Sequence, residues 1–69
     1  MRIYVDPSHL DALRDFLARA AWDVQTDGDA LVARGDPALT AAAAEEQLRL
    51  TLGVWHVMYP TLDAPRLNA

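Results

Sequence analysis

Sixty-nine residues carrying a net charge of −4, with no cysteine and no lysine, bound what this chain can be. The length is that of one domain, residues 1–69, and the missing thiols exclude disulfides and thiolate metal sites. The acidity, with six arginines scattered along the chain, argues against a phosphate-reading nucleic-acid surface and against a polybasic membrane anchor.

The first element is a short strand, Ile3-Tyr4-Val5, β-branched and aromatic. Alternation puts Ile3 and Val5 on one side and Arg2 and Tyr4 on the other. Asp6-Pro7 then opens a helix, with Asp6 as N-cap and Pro7 at the first helical position. Leu10, Leu13, Phe16, Leu17 and Ala20 recur at helical spacing, which predicts a one-sided amphipathic helix over about 7–20.

Trp22 to Thr26 alternates, Asp27-Gly28 offers a turn, and Asp29 to Arg34 returns. A type I′ loop at Asp27-Gly28 would pair Thr26 with Asp29, Val24 with Leu31 and Trp22 with Ala33. Trp22, Val24, Leu31 and Ala33 then share an apolar face, and Asp23, Gln25, Ala30 and Val32 the other.

Gly35-Asp36-Pro37 breaks the chain, and Thr40 is placed as N-cap of a second helix that runs to about Tyr59, where Pro60 ends it. Ala41, Ala44, Leu48, Leu52, Trp55 and Tyr59 form one stripe. Glu45, Arg49, Gly53 and His56 form a polar wedge beside it, with Glu45 and Arg49 spaced as a helix ion pair. Ala43, Leu50, Val54, Val57 and Met58 fill a further sector, so the apolar arc is wider than one sheet face needs. Leu62-Asp63-Ala64 reads as a short last strand, confined to an edge by Pro65.

Strand, helix, hairpin, helix and edge strand is the order of the split β-α-β unit. The expected fold is therefore α+β and ferredoxin-like: an antiparallel sheet with two helices on one face. Without the last strand, a three-stranded β-α-β-β-α variant remains.

No constellation carries recognisable chemistry. His9 and His56 lack metal-ligand spacing and read as exposed or capping residues. Ser8 beside His9 is poorly placed as nucleophile and base. Asp27-Gly28-Asp29 lacks the remaining ligands of a calcium loop. The glycines are isolated, so no phosphate loop exists. No catalytic residue, metal site or cofactor is expected. The outer sheet face offers only Tyr4 for base stacking, which with the charge speaks against RNA.

What remains is a contact surface. Exposed apolar patches mark interaction sites, and a small core without disulfide or metal gains most from a second chain. The expected interface residues are Tyr4 and Val32 on the outer sheet face and Leu50, Val54, Val57 and Met58 on the second helix. The expected partner is a second copy, or another protein encoded nearby, with no nucleic acid and no membrane. An alternative is a small-molecule-binding or enzymatic domain whose site forms in a dimer near Tyr4, Trp22, Trp55 and His56. The N-terminus lacks an apolar signal core, and the alanine, arginine and leucine bias follows GC-rich codons. Together these suggest a bacterial cytoplasm.

Overall fold

The computed structural model describes residues 1–68. Strand β1 (Arg2–Tyr4) leads through a 3-10 turn, Pro7–His9, into helix α1 (Leu10–Arg19). The hairpin of β2 (Asp23–Asp27) and β3 (Ala30–Arg34) leads to helix α2 (Ala41–Met58), and β4 (Arg66–Asn68) follows. The strands form one antiparallel sheet in the order β2-β3-β1-β4. The fold is thus small and α+β, a four-stranded antiparallel sheet with two helices.

Asp6 caps as expected. Its Oδ1 accepts from the Ser8 backbone N–H at 3.0 Å and from the Ser8 hydroxyl at 2.8 Å. The Ser8 backbone bond and then the Ser8 hydroxyl hold this carboxyl below its ordinary value against an opposing effect of desolvation, with the least contribution from His9. The His9 N–H donates to the Asp6 carbonyl at 2.8 Å, a three-residue spacing. The first turn is therefore 3-10, and the α-helix starts at Leu10.

The other end of α1 carries a feature that no sequence signal announces. Ala21 has φ of 68°, in the left-handed region. The Ala21 N–H donates to the Ala18 carbonyl at 3.1 Å, and the Trp22 N–H donates to the Leu17 carbonyl at 3.0 Å. This is a Schellman closure, in which glycine usually takes the position of Ala21. Leu17 and Trp22, at the two ends of that closure, both enter the core.

The hairpin forms, but its register differs from the expected one. Asp27 pairs with Ala30, Thr26 with Leu31, and Val24 with Ala33. The loop is therefore Gly28-Asp29. Gly28 has φ of 60° and Asp29 has no positive φ, the pattern of a type II′ loop with glycine in its first position. A type I′ loop at Asp27-Gly28 would instead force Asp27 itself into the left-handed region. The shift moves each partner by two residues, so the face assignments survive it.

The last strand lies later than expected. Residues 62–64 do not pair, and β4 follows Pro65 instead of preceding it. Arg66, Leu67 and Asn68 pair with Tyr4, Ile3 and Arg2. Proline cannot donate to a ladder, so pairing begins at the first residue beyond it. Leu67 thereby falls on the face of Ile3. Leu62 still packs against the core from its loop.

Ile3, Leu31 and Ala33 belong to one sheet face and join Leu13 and Leu17 of α1 and Leu48, Leu52 and Trp55 of α2 in a single cluster. Ile3, Leu13, Leu17, Leu31 and Leu48 are fully buried. Gly35 is where the backbone passes the Trp22 ring. A Cβ there would lie 2.9 Å from Cζ3 of Trp22 and 3.2 Å from the Ala44 Cβ.

Candidate functional site

Helix α2 carries the main candidate surface. The Thr40 hydroxyl accepts from the Ala43 N–H at 3.2 Å and so starts the helix. Arg49 Nη2 donates to Glu45 Oε1 at 2.8 Å along its flank. The Tyr59 N–H donates to the Trp55 carbonyl at 3.0 Å, and the backbone then leaves helical geometry at Tyr59, with φ −129° and ψ 66°.

At 100° per residue the helix divides into three sectors. Ala44, Leu48, Leu52 and Trp55 are buried against the sheet and α1. Glu45, Arg49, Gly53 and His56 line one flank. Leu50, Val54, Val57 and Met58 follow at i, i+4, i+7 and i+8 and face outward, with exposures of 67%, 53%, 78% and 53%. Nothing in the described chain covers them.

Tyr59 departs from its expected place in the buried stripe and is 42% exposed. Its non-helical backbone takes it out of the stripe, and its ring rests on Trp55 at 4.5 Å between centroids. On the other side Trp55 meets Phe16 at 5.6 Å.

The remaining expected contact residues, Tyr4 and Val32, lie on the outer sheet face. Register places Val32 between Arg2 and Gln25, and Tyr4 between Arg66 and Ala30. Tyr4 is 42% exposed, while Val32 is half-buried among its polar neighbours. An Arg2–Asp27 ion pair crosses this face. Since α2 packs on the opposite face, the structure does not bring Tyr4 and Val32 together with the α2 stripe. They are two separate surfaces, and the sheet surface is the more polar.

The residues of the small-molecule alternative are also dispersed. Trp22 and Trp55 are core residues, and Tyr4 is on the outer face. His56 is not the exposed residue expected: it is half-buried on the flank of α2, and its Nδ1 is buried without a hydrogen-bond partner. The indole Nε1 of Trp55 is likewise buried and unpaired.

Two clefts flank the chain segment at Ala64-Pro65. The wider, of about 600 Å³, is lined by Tyr4, Asp6, Asp63 and Arg66 among others. The narrower, of about 240 Å³, lies between α2 and the approach to β4, against Arg49, Gly53 and His56. Sequence reasoning missed both, because each is closed by residues far apart in the chain. Among the described residues no cluster of three or more His, Asp or Glu is arranged to hold a metal ion. No described helix is long and apolar enough to cross a membrane. No protein-family model, no curated protein and no solved structure matches this chain.

Proposed function

We propose that the chain is a self-associating interaction module, a homodimer formed through the outward face of α2. The observation that supports this is the continuous stripe of Leu50, Val54, Val57 and Met58, more than half exposed throughout. Fully burying one such side chain contributes roughly 1.5–3 kcal/mol. The four on each copy are already partly covered, so each contributes less than that figure against an association cost of about 4–15 kcal/mol. A two-fold arrangement suits the stripe. With α2 crossing its copy antiparallel at Val54, Leu50 of each copy meets Val57 and Met58 of the other.

The scaffold of this module is, on our reading, ferredoxin-like. In its support, β3 separates β1 from β2, and β1 separates β3 from β4. Each helix thus links two strands with a third between them, as in a split β-α-β unit. The proposal places the module in a bacterial cytoplasm, on the composition set out above.

Sedimentation velocity across a concentration series tests the self-association. The expected result is a dimer that Leu50→Arg and Val57→Asp each convert to monomer with unchanged circular dichroism. A wild-type monomer at high micromolar concentration would falsify the proposal. So would a stable complex with a different protein when the chain is purified gently from its own host.

A further inference from the structure

We infer that the narrow cleft between α2 and the segment entering β4 binds a small organic monocarboxylate with an apolar tail. The inference is independent of self-association, since the cleft lies on the polar flank of α2 and the apolar stripe on the other.

Arg49, Gly53 and His56 follow at i, i+4 and i+7 and form one column of the helix lining the cleft. Arg49 and His56 stand about 10 Å apart along the axis, and Gly53 lies between them. Glycine in a helix interior loses more backbone entropy than any other residue. Packing does not require it here, because a Cβ at Gly53 would meet nothing within 4 Å. What the missing side chain provides is room between a guanidinium and an imidazole.

His56 lines the cleft one turn beyond Gly53, and its Nδ1 is buried without a hydrogen-bond partner among the described residues. Arg49 gives one of its donors to Glu45, and its remaining N–H groups are free to meet a carboxylate oxygen.

Leu52 lines the cleft from α2 itself, and the opposite wall, Ala64, Pro65 and Leu67, carries apolar side chains. No carboxylate lines this cleft, although Glu45 holds Arg49 from the preceding turn, whereas the wider cleft beyond Ala64-Pro65 sets Asp6 and Asp63 against Arg66 alone. A guanidinium and an imidazole flanking one glycine, opposite apolar side chains, suit a carboxylate head and a short aliphatic tail. The volume of about 240 Å³ limits the ligand to a small molecule.

The test is a nuclear magnetic resonance titration of the uniformly ¹⁵N-labelled chain with hexanoate, 1-hexanol and hexylamine, which share a tail and differ in the head. The expected result is saturable shifts at Gly53, His56 and Leu67 with hexanoate, and binding at least about tenfold weaker with the other two. Gly53→Leu should fill the cleft and abolish the shifts. Arg49→Gln, a surface change that leaves the core intact, should weaken hexanoate by about tenfold and leave hexanol unchanged. Equal binding of hexanoate and hexanol would overturn carboxylate recognition. No saturable shift at these residues, or shifts confined to Leu50, Val54 and Val57, would overturn the site.

Discussion

Gly35 and Trp22 approach so closely that a Cβ on the glycine would lie 2.9 Å from Cζ3 of the indole. The neighbour on the other side is no softer, since the Ala44 Cβ would be 3.2 Å away in the rigid first turns of α2. Gly35→Ala is therefore expected to destabilise the fold by about 1–3 kcal/mol, the cost of overpacking a filled site. Urea denaturation measures it. In a Trp22→Leu background the same change should cost less, because the closer of the two clashes is gone while the Ala44 contact remains. An equal cost in both backgrounds would trace the effect to Ala44 or to the Gly35 backbone instead.

Ala21 invites the opposite experiment. An alanine held at φ 68° bears a steric cost that glycine does not. Ala21→Gly should stabilise the chain by about 0.5–1 kcal/mol once the greater freedom of the unfolded glycine is subtracted. The readout is a higher denaturation midpoint with an unchanged slope. A lower midpoint would mean that the unfolded-state term wins.

The α2 stripe separates folding from association. Val57 is 78% exposed and makes little contribution to the core, so Val57→Asp should alter the stability of the monomer by no more than about 0.5 kcal/mol. In the wild type, thermal midpoints should rise with protein concentration, as mass action requires of a dimer. In the variant they should not. A concentration-independent midpoint in the wild type would contradict association through this face.

Asp6 makes a prediction about acid. Its carboxyl titrates below its ordinary value of 3.8, chiefly because the charged form accepts from the Ser8 backbone N–H. A depressed folded value means that its contribution is fully present above the unfolded value and is lost as pH falls through the folded one. Asp6→Asn keeps a capping oxygen but does not titrate there. The stability difference between wild type and this variant should be constant near neutrality and shrink below about pH 4. Parallel stability curves down to the lowest pH would remove the charge from the account.

The local signals were the legible ones. Asp6-Pro7, Thr40 and the pair Glu45 and Arg49 act over a few residues, and each sits where its spacing implies. The middle of each α2 sector was equally readable, because a helix writes its faces into periodicity, but Ala41 and Tyr59, at the ends of the expected buried stripe, are exposed. Ala21 was not legible, since nothing marks an alanine that must take a glycine's conformation. The hairpin register slipped because Asp27-Gly28-Asp29 admits two loops, and only the backbone shows which pair of residues turns. The last strand was misplaced because Leu62 and Leu67 are both apolar, and only Leu67 follows Pro65 at the right distance to lie beside Ile3. The cleft was hidden for a similar reason: His56 and Gly53 read as a polar flank until Pro65 and Leu67 come round to face them.

Ile3 pairs with Leu31 on one side and Leu67 on the other, so the strand nearest the start of the chain occupies the middle of the sheet. Both of its neighbours are made after it, and the second comes some sixty residues later, a separation that slows folding. During synthesis β1 can thus acquire one partner with the hairpin but must keep its other edge open until residues 66–68 arrive. That edge is a template for any extended chain. The order in which the strands are made therefore defines an interval of vulnerability to mispairing, and three residues, Arg66, Leu67 and Asn68, close it.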